Sequence, residues 1–258
     1  WSSDVCSSDL VFASDDGDTI YINSVSDLLS LARSCAYDQW SVGKTVILQK
    51  DLSLEGMLWE PIPSFSGQFK GNGHTISDLT ITGQYSPAGL FGIVEEQGSI
   101  ESLSVRGVVS VSDSADTTTG GIAGINHGTL ISCQFTGVVT GDSEVGGIVG
   151  RNESEGTIDH STARAIVTGK SSTGGIAGYN LGAITGCTNV GSINTEYPEA
   201  SLDTDGFTAK MVDYINNKMA AADDDATNSV TNVATDTGGI AGRSSGMILT
   251  SVNTGDRK

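Results

Sequence analysis

The phrase Gly120-Gly-Ile-Ala-Gly-Ile-Asn126 returns as Gly146-Gly-Ile-Val-Gly-Arg-Asn152, Gly174-Gly-Ile-Ala-Gly-Tyr-Asn180 and Gly238-Gly-Ile-Ala-Gly-Arg-Ser244. Gly89-Leu-Phe-Gly92 is a diverged first copy. A unit this short cannot enclose an apolar interior alone, so it buries its apolar positions against its neighbours in a stack. Composition agrees with many short strands joined by tight turns: 34 glycines, with only 6% aromatic and 17% charged residues.

Laid over one another, the units share columns. Ile76, Leu79 and Ile81 set an i, i+3, i+5 spacing that recurs as Ile100, Leu103, Val105, then Leu130, Cys133, Phe135, then Ile158, Ser161, Ala163. Ile184, Cys187, Asn189 and Ile248, Ser251, Asn253 complete it. Each unit is long enough for about three strands plus corners, with coils stacked roughly 4.8 Å apart. The crossover rule for parallel strands makes the winding right-handed. The expected fold is an all-β, right-handed parallel β-helix with an N-terminal capping helix and one helical insertion.

The residues expected to set the repeat are the inner glycines of each phrase, namely Gly121 and Gly124, Gly147 and Gly150, Gly175 and Gly178, and Gly239 and Gly242. They suit corners that need positive φ or close backbone approach. Asn126, Asn152 and Asn180 share one position, where their amides can stack into a ladder satisfying corner backbone groups. Cys133 and Cys187 share a column with the Ser161 rung between them, near 9–10 Å apart. A disulfide tolerates about 7 Å between Cα atoms, so both read as buried fillers.

Before the array, Ile20–Asn23 alternates like a strand and Ser24–Ala36 reads as a helix, capped by Ser24 or Ser26, with Leu28, Leu31, Ala32 and Cys35 on one face. Residues 11–44 therefore form an N-terminal strand and capping helix, and 45–255 the repeats. Trp59-Glu-Pro-Ile-Pro63 has to be a turn or an edge. The 64-residue interval from Ile184 to Ile248 holds an insertion at about 195–236, in which Phe207, Met211, Tyr214, Ile215 and Met219 give a helical stripe that is read as a binding excursion or, the favoured reading, as a helix packed on the outer flank. Residues 1–10 resemble the translation of a sequencing-adapter oligonucleotide and 256–258 its reverse complement, so both are set aside as artefact and the chain is expected to be a fragment from environmental DNA. The 258 residues together hold no signal segment, no apolar run of about 18 residues and no recognisable anchor.

The run Gly-Gly-Ile-Ala-Gly-Xaa-Asn-Xaa-Gly-Xaa-Ile-Xaa-Xaa-Cys-Xaa-Xaa-Xaa-Gly-Xaa-Val stands nearly whole at 120–139 and 174–193. It resembles the GLUG-motif repeat family. The copy at 146–167 has Ser161 for Cys and Ala165 for Gly, and that at 238–255 has Ser244 for Asn and Ser251 for Cys. The resemblance implies a bacterial secreted or cell-surface protein in which the repeats act as stalks or adhesin-like modules, and such repeats also stand beside the peptidase of immunoglobulin-cleaving metalloproteases. It implies no catalytic residues.

The residues themselves offer little chemistry. His74, His127 and His160 are the three histidines, with no His-Glu-Xaa-Xaa-His and no Cys-Xaa-Xaa-Cys to hold zinc. Asp223-Asp-Asp225 lacks the glycine and distal glutamate of a calcium loop. Glu101, Asp159 and Arg164 lie near one another in repeat coordinates and would be the carboxylates and base of a polysaccharide lyase or glycosidase, although a solvated strand face explains them equally. A net charge of −18 argues against nucleic acid and anionic membrane as partners. No catalytic residue, cofactor or metal is expected, and no direct membrane insertion. The leading expectation is a non-catalytic structural or adhesin-like module whose partner is a host or matrix glycan or protein. The alternatives are a polysaccharide-active enzyme and the arm of a surface metalloprotease.

Overall fold

The computed structural model describes residues 18–37, 39–111, 117–194 and 235–255. They form a parallel β-solenoid with one short helix, the strands of successive coils lying side by side in four sheets. Sheet A has eight strands, from Thr19–Ile22 to Met247–Leu249, and sheet B seven, from Leu52–Ser53 to Val252–Asn253. Sheet C has six, from Ile62–Phe65 to Ala241–Ser244, and sheet D four, from Thr118–Gly120 to Thr235–Gly238. The eight strands of sheet A span roughly 34 Å at about 4.8 Å per step.

A full coil thus has four strands where the sequence indicated about three. In the coil beginning at Thr118 these are Thr118–Gly120, Ala123–Asn126, Thr129–Ile131 and Gln134–Thr140. The repeated phrase is itself a corner. Gly120 ends one strand, Ala123 begins the next, and Ile122 between them is fully buried. The phrase glycines are absent from the residues of positive φ, so close approach explains them. A Cβ on Gly121 would overlap the Phe135 ring, and one on Gly150 would meet the Thr119 backbone of the preceding coil.

Positive φ falls instead on the corner between sheets A and B, at Ser102, Ser132, His160, Gly186 and Thr250, with φ of 51°, 53°, 46°, 61° and 46°. Only one of the five is glycine. Each L-residue held there costs about 1–2 kcal/mol, which the pairing on both sides offsets.

The first repeat sits in a different frame from the sequence alignment. Ile76 pairs with Val105 in sheet B, while Phe69 precedes Ile100 in sheet A. A bulge between Ile76 and Leu79, with Asp78 at φ 61°, inserts the residue that imitates the i, i+3 spacing. Pro63 lies in an edge strand, Ile62–Phe65, at the end of sheet C, where its missing N–H removes no ladder bond.

The interior changes character along the axis. In the early coils Phe65, Phe69 and Phe91 pack with centroids 5.4–6.3 Å apart. In sheet B the inward column runs Ile76, Val105, Phe135, Ala163, Asn189, Asn253. At the N-terminal end, helix α1 (Val25–Ser34) packs on the strands Thr19–Ile22 and Ile62–Phe65 and adds Leu28 and Leu31 to the interior cluster. The Ser24 hydroxyl accepts from Asp27 N–H at 3.2 Å, and the Asp27 carboxylate accepts from Asn23 N–H at 2.9 Å. Ser24, not Ser26, is therefore the cap, in a reciprocal arrangement that satisfies two donors.

The helical stripe at 207–219 and the acidic run at 223–225 lie outside the described residues, as do both terminal segments. The strand Thr235–Gly238 belongs to the array, as the fourth strand of sheet D.

Candidate functional site

Asn126, Asn152 and Asn180 are fully buried and in register on sheet C, with Ser244 in the next coil. Asn126 Nδ2 donates to Asn152 Oδ1 at 2.8 Å, and Asn152 Nδ2 to Asn180 Oδ1 at 2.8 Å. Asn180 Nδ2 reaches Ser244 Oγ at 3.1 Å. Each amide also donates within its own corner, to the carbonyls of Gly128, Gly156 and Gly182 at 3.1–3.2 Å. The ladder begins at Asn126, because the coil before it has Val94 at that position. Asn126 Oδ1 is consequently a buried acceptor without a protein partner.

A second ladder passes through the cysteines. Cys133 N–H donates to Ser161 Oγ at 3.1 Å, Ser161 N–H to Cys187 Sγ at 3.4 Å, and Cys187 N–H to Ser251 Oγ at 3.2 Å. Each side chain in turn donates to the carbonyl two residues earlier, of Ile131, Asp159, Thr185 and Leu249. Cys133 and Cys187 are therefore hydrogen-bonding members of a column as well as small fillers. The alternation with Ser161 and Ser251 was the available signal: sulfhydryl and hydroxyl share a donor and an acceptor role. All three described cysteines are buried and free. Burial raises the Cys35 and Cys133 thiols to about 12 and Cys187 to about 11, which removes the thiolate needed for nucleophilic chemistry.

A third ladder lies outside. Arg151, Tyr179 and Arg243 are in register on the outer face of sheet C. The two guanidinium carbons stand 5.0 and 5.4 Å from the Tyr179 ring centroid. Arg151 also pairs with Glu144 at 2.8 Å and Glu153 at 2.6 Å. Partial burial opposes its charge, but the two carboxylates outweigh this and raise its pKa.

The suspected catalytic trio is not assembled. Glu101 and Asp159 belong to one outer column of sheet A with Ile131 between them, and Arg164 lies on sheet B. Asp159 pairs with its neighbour His160 at 2.8 Å, on a side chain 68% exposed. His74 pairs with Asp51 at 3.1 Å, and the Asp51 pKa is lowered chiefly by the Thr75 N–H and then by His74. His127 is half-buried at the corner after Asn126. Among the described residues no group of three or more His, Cys, Asp or Glu could hold a metal ion.

Residues 141–168, spanning the rung of Asn152 and Ser161, match the family described as the GLUG motif. That stretch is a GLUG motif. Among curated proteins, "Halomucin" of Haloquadratum walsbyi is 32% identical over 155 residues, covering 55% of this chain and 2% of that protein. A "Putative Gly-rich membrane protein" of Evansella cellulosilytica is 29% identical over 137 residues, 38% of this chain and 16% of that one. The matched region is thus a small part of either relative. A solved structure described as "a putative immunoglobulin A1 protease" from Bacteroides ovatus aligns over 84% of this chain and 91% of that chain, with a TM-score of 0.45 and 15% identity. The described array is a structural repeat module: its ladders are directed at its own neighbouring coils.

Proposed function

We propose that this chain is a non-catalytic spacer and presentation module of a secreted or cell-surface protein, whose outer faces meet a host or matrix glycan or protein. The observation that carries the reading is the continuous Asn126–Asn152–Asn180 ladder, which places one coil on the next through 2.8 Å side-chain bonds inside a stack already paired along four sheets. Such a body transmits position along its axis and leaves its outward side chains free to vary. Likeness to halomucin and to a Gly-rich membrane protein supports placement at the surface. The raised thiol pKa values and the dispersed Glu101, Asp159 and Arg164 support a role without covalent chemistry.

The test is protease shaving of intact cells producing the native protein, followed by immunodetection of this segment. Loss of the segment without lysis is the expected result. Protection until lysis overturns the surface assignment.

A further inference from the structure

We propose that the cleft between the loop carrying Gln39 and Val42, the outer residues Ser64 and Ser66, and the corner Glu95–Gln97 binds a neutral saccharide. The cleft has a volume of about 460 Å³, within the roughly 300–1,000 Å³ range of small-molecule sites. Such sites are usually lined by apolar and aromatic groups. This one has hydroxyls from Ser64 and Ser66, amides from Gln39 and Gln97, and carboxylates from Glu95 and Glu96, with Val42 as its apolar member. A hydrophilic ligand fits that lining.

The walls are held in place by bonds across 25–31 residues of sequence. Ser66 N–H donates to Ser41 Oγ at 2.9 Å, fixing the loop to the solenoid corner, and Ser41 is itself buried. Ser64 Oγ donates to Glu95 Oε1 at 2.7 Å, so this carboxylate is oriented in advance. Glu95 N–H is anchored on Phe65 O at 2.9 Å.

Charge narrows the class. No Lys, Arg or His lines the cleft among the described residues, so two carboxylates and a chain of net charge −18 disfavour an anion. A basic peptide would satisfy Glu95 and Glu96 through side-chain ammonium groups that only donate, and it would have to bring backbone carbonyls to the amide N–H groups of Gln39 and Gln97 as well. A sugar hydroxyl both donates and accepts. Vicinal hydroxyls can give two bonds to one carboxylate while accepting from an amide. This identification rests on the reading that the module holds a partner, but not on where the protein is located.

The experiment is a titration of the full chain, isotopically labelled, with cellobiose and lactose, followed by amide chemical shifts and compared with trilysine peptide. The expected result is saturable shifts at Ser64, Ser66 and Glu95–Gln97 with a disaccharide. Affinity should fall roughly tenfold in Glu95→Gln, the cost of losing a charge-assisted bond, with the thermal midpoint unchanged. Absence of shifts with both disaccharides, shifts located elsewhere, or a stronger response to trilysine overturns the proposal. None of those outcomes alters the shaving result, so the two readings fail separately.

Discussion

Asn152 Nδ2 lies 2.8 Å from Asn180 Oδ1, a contact between residues 28 apart in sequence and one coil apart in space. The same nitrogen donates to Gly156 O at 3.1 Å inside its own corner. One side chain thus closes a corner and ties two coils. Its replacement should cost more than a typical hydrogen bond, because several buried groups lose partners at once.

Asn152→Ala is expected to destabilise the chain by roughly 2–4 kcal/mol, measured as a shift in the urea midpoint. Asn126→Ala should cost less, roughly 1–2 kcal/mol, because Asn126 Oδ1 has no partner to lose. Equal effects at the two positions would argue that volume, not bonding, sets the ladder's contribution.

The Gly121 corner tests close packing. A Cβ there would meet the Phe135 ring and the Gly147 carbonyl, whereas at Gly147 the facing side chain is Ala163. Gly121→Ala should destabilise by roughly 1–3 kcal/mol from overpacking. In a double-mutant cycle with Phe135→Ala the combined loss should fall short of the sum by about 1 kcal/mol. Strict additivity would place the strain on the carbonyl side alone.

The thiols give a pH dependence whose sign is fixed. Cys133 and Cys187 titrate near 12 and 11 when folded, against 9.0 for a free thiol. Between pH 9 and these values the native state holds protons that the unfolded chain has released, so stability is complete below about pH 9 and falls as pH rises. Cys133→Ser, matching Ser161 in the next rung, should flatten that alkaline decline in denaturant titrations. The native thiols of Cys35, Cys133 and Cys187 should resist alkylation at pH 8 until denaturant is added, as read by peptide mass spectrometry.

Arg151 provides a surface comparison. Its pairs with Glu144 and Glu153 are short, but about a third of its side chain is exposed, and solvent screening limits such pairs to about 1 kcal/mol or less. Arg151→Ala should therefore cost less than Asn152→Ala, and its effect should shrink in 1 M salt while that of the asparagine does not. The check is the two denaturation midpoints at low and high salt.

Much of this architecture was legible because a stacked array repeats its constraints. The shared position of Asn126, Asn152 and Asn180 indicated which side chains meet, and the apolar column from Ile100 to Ile184 indicated which face inward. The first repeat was misframed because the bulge at Asp78 gives Ile76 and Leu79 the spacing of a different pair of columns. Bulges change register without changing composition, so only the partner strand reveals them.

The sequence by itself determined that the chain stacks in parallel coils, because a repeated apolar phrase has no other way to leave water. Tertiary structure decided what each repeated position does. Whether Gly121 serves backbone freedom or makes room depends on Phe135, fourteen residues on and across the interior. Whether Cys133 is a filler or a rung depends on Ser161, supplied by the next coil. A column's chemistry is set by its neighbours along the axis, and a linear reading contains those neighbours only once the register between coils is fixed.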